Sequence, residues 1–587
     1  MRNFILATLT LTLALNSSAQ YYIRGDVKDE KNQPLQNVKI YMHSNHLLYY
    51  SGVTGGFGIP SPLVYDSLTF STDGFEPRSV KVKTNVYQEI VLKVLNNRNN
   101  LQKQRVVSFT KDLDLQAKKN WLFGNESYSN LIENDFIKAA KYPSTTFTLR
   151  TDKASYSNVR RFINQKSIVP PDAVRIEEML NYFNLNYKAP KKDEVFSIES
   201  QLTACPWNNA HELLFLNIDA DKLNLDKVPP SNLVFLIDVS GSMDLPNRLP
   251  LLKAGFAMLV KNLRAIDTVS IVVYGGTVGV WLQPTSGAEK QKIIKSIEEL
   301  NASGDTPGEA AIRSAYKLAK STFIKNGNNR IILATDGDFN VGQTTEKELD
   351  DLITLERQTG IYLTCLGVGM GNYKDSKIET LAKKGNGNFA YLDDVREAEK
   401  VLVTEFTQTL YTIANDVYAS VKFNPVMVKE YRLIGYDNKR DVLDDSTTQI
   451  EGGEIGSGNG ITVVFEITPT EDNLFSNAPL LKDDIATLTL HYKLPDKNTE
   501  HQITKICPMN FLDFKEINND LKFASAVTMF GLVLRDSKYI SGVSWDDILS
   551  IARETITPGD YLQNEFISLA EQAKKIYKKT KKRKEEK

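Results

Sequence analysis

The run Leu233-Val234-Phe235-Leu236-Ile237 is apolar at every position and ends on Asp238. A strand covered on both faces reads this way, because neither side of it meets water. Short apolar runs of the same texture recur at Thr268–Tyr274, Val278–Leu282, Arg330–Thr335, Gly360–Gly367 and Gly387–Leu392. Helical periodicity fills the gaps between them, most clearly over Arg248–Arg264, Gly308–Ile324 and Val395–Leu410. Strand alternating with helix predicts a doubly wound α/β domain over residues 231–412.

The pattern changes on either side. Residues 20–92 carry alternating, β-branched segments punctuated by glycine, such as Ile23-Arg24-Gly25-Asp26-Val27 and Ser67-Leu68-Thr69-Phe70, and predict a small β-sandwich. Residues 93–125 are rich in Asn, Lys and Gln without periodicity and read as a linker. Over 126–230 a helical spacing at Tyr156–Ile163 and a proline-started helix over Pro170–Leu180 precede strand texture at 196–227. Residues 413–515 return to β character, 516–577 are helical, and 578–587 form a basic tail. The segments 196–227 and 415–510 are expected to make one β-sandwich-like module that buttresses the α/β domain. The fold class is therefore multidomain α/β plus β, with C-terminal helices.

The N-terminus sets the compartment. Arg2, the uncharged run from Phe4 to Leu15 and the small residues Ser17-Ser18-Ala19 have the form of a signal peptide, residues 1–19, cleaved before Gln20. The residue directly after the cleavage point is Gln20 and not the cysteine of a lipoprotein, and no later stretch has the 18 or so apolar residues of a membrane span. The mature chain is expected in the periplasm or at the cell surface, without a transmembrane segment. A net charge of −1 over 587 residues supplies no field to recruit nucleic acid. The basic run Lys578-Lys579-Thr580-Lys581-Lys582-Arg583-Lys584 reads first as a solvated helix end, and second as a weak contact for an anionic surface. Cys365 lies in an apolar run and reads as a buried free thiol, whereas Cys205 and Cys507 leave open one pairing.

Candidate chemistry gathers where strands end. Ligands of open α/β sheets bind beyond the carboxyl ends of the strands. Asp238, Ser240 and Ser242 follow the first strand at spacing two, with Gly241 to let the backbone bend. The Arg330–Thr335 strand ends on Asp336, and Gly304-Asp305-Thr306-Pro307-Gly308 is a loop before a helix. Carboxylate and hydroxyl oxygens without thiol or imidazole suit a hard cation, Mg²⁺ first, with Mn²⁺ or Ca²⁺ as alternatives. Asp244 and Asp338 read as rim charges, and Glu177 and Glu178 as a solvated helix face or structural ion pairs.

Asp-x-Ser-x-Ser, a separate threonine and a later Thr-Asp-Gly resemble the metal-ion-dependent adhesion site of von Willebrand factor type A (VWA) domains. The resemblance implies hydroxyl ligands at Ser240, Ser242 and Thr306. It implies that Asp238 and Asp336 hold metal-bound waters or bind directly, and that a partner protein's carboxylate takes the remaining position. Segments around Pro143–Phe147, Ala154–Phe162, Arg175–Met179, Tyr431–Tyr436, Gly453–Gly458 and Phe530–Arg535 look like the flanks of one bacterial subgroup, extending the match over roughly 130–575. Arg150-Thr151-Asp152-Lys153, Asn459, and Asp305 with Glu309 depart from that subgroup's pattern. Residues 20–92 resemble the carboxypeptidase regulatory-like domain, a transthyretin-like sandwich, which implies a spacer or interaction module.

Enzymatic readings lack their parts. A haloacid-dehalogenase-like site needs a second acid where Ser240 stands. All five histidines, His43, His46, His211, His491 and His501, lie outside the α/β domain, so neither serine has a local base. No His-Glu-x-x-His occurs for a zinc peptidase. The expectation is an exported, non-enzymatic protein that binds an acidic partner through the cation. The alternative is an envelope assembly factor whose metal site is structural and whose β-sandwiches make the contacts.

Overall fold

The computed structural model describes residues 21–585, apart from 94–125, 225–227, 304–307, 338–345, 437–451, 471–483 and positions 31, 46, 53, 62, 73, 74, 85, 276, 372, 496 and 498. Side chains are also outside the description at 21, 277, 309, 346–349 and 579–585. The residues expected to be a signal peptide, nearly all of those expected to be a linker, Asp305, Thr306, Asp338 and the Glu309 side chain therefore fall outside the described residues.

The chain forms two compact units, residues 1–113 and 114–587. In the first, Tyr21–Asp29 runs between Gly56–Ser61, antiparallel, and Tyr87–Leu92, parallel. A second sheet orders Leu48–Tyr50, Lys39–Met42, Tyr65–Ser71 and Arg78–Lys83. Period-two alternation turns Ile23, Val27, Ile40, Met42, Leu68 and Phe70 into one core, as a sandwich requires.

The second unit contains the α/β sheet. Its order is Thr277–Ser286, Thr268–Gly275, Ser231–Asp238, Asn328–Thr335, Ile361–Val368 and Phe389–Leu392. All neighbours pair in parallel except Thr277–Ser286, an antiparallel edge. Alternate residues of Ser231–Asp238 feed opposite faces. Phe235 and Ile237 pack with Leu252 and Phe256, while Val234 and Leu236 pack with Ile312 and Tyr316. Two covered faces explain why the strand is apolar throughout. The helix expected over Val395–Leu410 is broken into Val395–Glu399, a π turn at Lys400–Thr404 and Phe406–Leu410. Glu405 follows the wide turn and forms ion pairs with both Lys153 and Lys400.

The flanking segments interleave. One sheet orders Phe511–Leu512, Phe196–Ala204, Glu212–Ala220, Gly460–Pro469, Val428–Ile434 and Ile137–Lys138. The other runs Gly453–Gly456, Thr412–Phe423, Asp484–Lys493 and Glu500–Pro508, with Ser144–Thr148 paired to Thr412–Phe423. Leu214, Leu216, Val417, Val421, Leu488 and Leu490 fill the space between the sheets. The module expected from 196–227 and 415–510 is thus a sandwich, and the α/β domain is inserted between two of its strands. The short strands at 137–138, 144–148 and 511–512 are additions that sequence patterning does not reveal.

Helices Ala154–Asn164, Ile176–Asn181, Asn519–Leu534, Trp545–Thr555 and Tyr561–Glu585 share a core with Phe215 and Val464 on the sandwich's outer face. All three cysteines are free and buried. Cys205 sits in the helical core and Cys507 in the sandwich core, so the pairing left open by sequence is not formed. Cys365 is a buried free thiol, as its apolar run implies.

Candidate metal centre

Ser231–Asp238 is the third strand of the α/β sheet, and its carboxyl end is buried. Asp238 has 0% exposure. The chain turns immediately after it. Ser240 N donates to Asp238 Oδ1 at 2.9 Å, and a 3-10 turn over Gly241–Met243 follows. That turn brings Ser240 Oγ and Ser242 Oγ to 3.2 Å from each other. The parallel strand Asn328–Thr335 lies alongside and delivers Asp336, so Ser242 Oγ donates to Asp336 Oδ2 at 2.8 Å. Sequence residues 94 apart thereby meet in one cluster of oxygens. Ser242 is exposed, so the cluster opens to solvent on its side.

Three features of the site were not read from sequence. Thr335 Oγ1 donates to Asp238 Oδ2 at 3.0 Å and accepts from Gly337 N at 3.1 Å, fixing both strand ends together. Gly275 closes the neighbouring strand so near the turn that a Cβ there would lie 2.5 Å from the Val239 carbonyl carbon and 2.7 Å from Ser240 N. Arg248, a buried residue, places Nη1 2.5 Å from Asp336 Oδ2 and 2.7 Å from the Ser242 carbonyl, while Nη2 donates to the Met370 carbonyl at 2.9 Å. Basic residues before a helix are ordinary in sequence, and only the strand register reveals which acid this one meets.

The electrostatics follow from burial. Removal from water pushes the Asp238 carboxyl up to about 6, against hydrogen bonds from Ser240 that favour its ionised form, with the nearby Asp336 adding to the rise. The Tyr274 hydroxyl, fully buried next to Asp238, is held well above its usual range, first by desolvation and then by that acid. Asp238 has no cationic partner among the described residues.

These residues fit a hard divalent cation. A buried carboxylate without counter-charge, a second carboxylate and two converging hydroxyls offer oxygen donors alone, the set that Mg²⁺ takes. No group of three or more His, Cys, Asp or Glu among the described residues is placed to hold a metal, so a cation here would depend on the serine hydroxyls as well as the two carboxylates. Thr306 lies outside the described residues. The chain reaches Ser303 against the same turn, where Ser303 N donates to the Val239 carbonyl at 2.6 Å, and the helix Gly308–Ser321 begins beyond.

The departures have local roles. Asp152 accepts from Phe389 N at 2.7 Å and Lys153 pairs with Glu405 at 3.0 Å, tying that segment to the α/β domain. Asn459 Nδ2 donates to the carbonyls of Gln408 and Gly456. Glu178 is buried against Arg175, the structural ion pair foreseen as one reading. Asp244 is exposed at the rim.

Models of three protein families match the chain: von Willebrand factor at 122–215, von Willebrand factor type A domain at 233–338, and the C-terminal region of uncharacterized protein YfbK at 408–576. Uncharacterized protein YfbK of Escherichia coli (strain K12) is 38% identical over 472 residues, covering 77% of this chain and 81% of that protein. Human inter-alpha-trypsin inhibitor heavy chain H2 is 30% identical over 154 residues, 25% of this chain and 16% of the relative. Among solved structures, von Willebrand factor type A from Catenulispora acidiphila covers 63% of this chain and 88% of its own at 13% identity and a TM-score of 0.36. The ArnB paralog VWA2 from Sulfolobus acidocaldarius covers 65% and 98% at 15% identity and a TM-score of 0.32. Superpositions this loose carry no argument, whereas the E. coli relative spans most of both chains. On that relationship and the matched type A domain, the chain belongs to the YfbK family of VWA-domain proteins.

Proposed function

We propose that this protein is an exported, non-enzymatic binding scaffold whose α/β domain takes a divalent cation, Mg²⁺ first, at Asp238, Ser240, Ser242, Thr306 and Asp336, and through it a carboxylate of a protein partner. The observation that carries this reading is the convergence of Asp238, Ser240, Ser242 and Asp336 at the carboxyl ends of adjacent parallel strands. When bound, the cation supplies a Lewis-acidic point that attracts an anionic oxygen. The chain's own groups orient the donors: Thr335 holds Asp238, and Ser242 reaches Asp336. The first unit, as a carboxypeptidase regulatory-like sandwich, serves as a spacer or second contact. No helix among the described residues is long and apolar enough to cross a membrane. Export rests on the N-terminal sequence, and the basic tail adds a weak contact with an anionic surface.

Electron paramagnetic resonance of Mn²⁺ tests the site. The free-ion signal is expected to fall when the full chain is added and to persist with Asp238→Ala. A folded wild-type chain that leaves the signal intact sinks the reading. Binding that survives Asp238→Ala moves the cation elsewhere. If the cation binds but no acidic partner needs it, the structural alternative stands instead.

A further inference from the structure

Arg248 is placed to do more than buttress. Its guanidinium is gripped by Asp336 Oδ2, the Ser242 carbonyl and the Met370 carbonyl at 2.5, 2.7 and 2.9 Å. Gly369, at φ +84°, lies flat against the side chain, where a Cβ would sit 2.5 Å from Nε. The Met370 side of the grip is itself anchored. Gly371 N donates to Glu126 Oε1 at 2.7 Å, and Arg161 holds both oxygens of that carboxylate. The centre therefore contains a fixed cation of its own.

Among the described side chains that touch the oxygen cluster, Asp238 and Asp336 bring two negative charges and Arg248 one positive. Over these three described side chains the sum is one negative charge without the cation and one positive with it; Asp305, Asp338 and the Glu309 side chain lie outside the described residues. Whatever those acids add, Arg248 leaves the centre one unit more positive than it would be without it. At the few ångströms between these groups, one charge changes the affinity of an ion by about tenfold or more, even with a protein-surface dielectric.

Resting on the cation site proposed above, we propose that Arg248 is a specificity-determining residue. Its buried charge weakens the grip on the metal and strengthens the loaded centre's hold on an anion.

Calorimetry on the full chain tests this with Mg²⁺ and then with acetate added to the Mg²⁺-loaded protein. Arg248→Gln removes the charge, Arg248→Lys keeps it, and both give up the forked reach to the two carbonyls. The proposal expects Arg248→Gln to bind Mg²⁺ about tenfold tighter and acetate about tenfold weaker, with Arg248→Lys within about threefold of wild type on both. Wild-type affinities in a folded Arg248→Gln chain overturn the proposal while leaving the cation site intact. Equal changes in Arg248→Gln and Arg248→Lys also overturn it, since geometry and not charge is then responsible. A wild-type chain that takes no Mg²⁺ overturns the underlying site and this inference with it.

Discussion

Asp238 and Glu212 are both acids taken out of water, and neither has a cationic partner among the described residues. The first sits where a cation is proposed; the second does not, and its burial acts on stability alone. Burial pushes the Glu212 carboxyl up to about 8, from an unfolded value of 4.5. A folded pKa raised this way gives a contribution that is complete below pH 4.5 and is lost as pH rises through about 8. Glu212→Gln is therefore expected to melt several degrees above wild type at pH 9, with the gap closing towards pH 4.5. A gap that stays constant with pH contradicts the assignment. Arg330 presents the opposite case, a fully buried cation bonded to Glu454 at 2.6 Å and to Thr364 and Thr412. Glu454→Ala strands that charge and should cost roughly 3–5 kcal/mol in denaturant unfolding, the scale of a broken buried pair; a loss under about 1 kcal/mol would show that water reaches the site. At this scale the sequence discloses the donors that share one short motif, Asp238, Ser240 and Ser242, and the Thr-Asp-Gly that marks Asp336. Arg248 stays hidden, and so does the bond that Thr335 of this motif makes to Asp238, because what the two side chains touch is set by strand register and not by spacing.

Elements position the site through their ends. The turn after Ser231–Asp238 is pressed from one side by the end of Thr268–Gly275, where only a glycine fits. Gly275→Ala forces the Val239–Ser240 backbone outwards. It is expected to weaken Mg²⁺ binding at least about tenfold, the scale of 1.4 kcal/mol, while costing less than about 3 kcal/mol of stability. Calorimetry beside thermal denaturation separates the two, and unchanged affinity would mean the turn yields without moving its donors. The strands of the α/β domain are legible from their apolar runs, with boundaries displaced by a residue or two, except that the run Val278–Leu282 continues as strand to Ser286. The Val395–Leu410 helix is legible in existence but not in its break, because a π turn leaves no mark in the apolar periodicity and one partner of Glu405 at its end, Lys153, is remote in sequence.

For the whole molecule, sequence order and spatial order part company. Apolar alternation identifies β texture on both sides of the α/β domain. Pairing of Glu212–Ala220 with Gly460–Pro469 makes those sides one sandwich. Such long-range pairing leaves no local signature, which is also why two-residue strands at 137–138 and 511–512 escape pattern reading. The first unit has a core of its own, so two calorimetric transitions are expected. The smaller should absorb roughly 50 kcal/mol, about 0.7 kcal/mol per residue of a domain of that size near 60 °C. A single cooperative transition would mean that the units unfold together.

The central claim is that a hard cation completes the oxygen cluster at the ends of the two strands. Calorimetric titration of Mg²⁺ into the full chain, beside Asp238→Ala and Thr306→Ala, addresses it most directly. Saturable micromolar-to-millimolar binding to the wild type, lost in both variants while their circular dichroism is unchanged, is the predicted result. A folded wild-type chain that takes up no Mg²⁺, or that binds it equally well without Asp238, would contradict the claim.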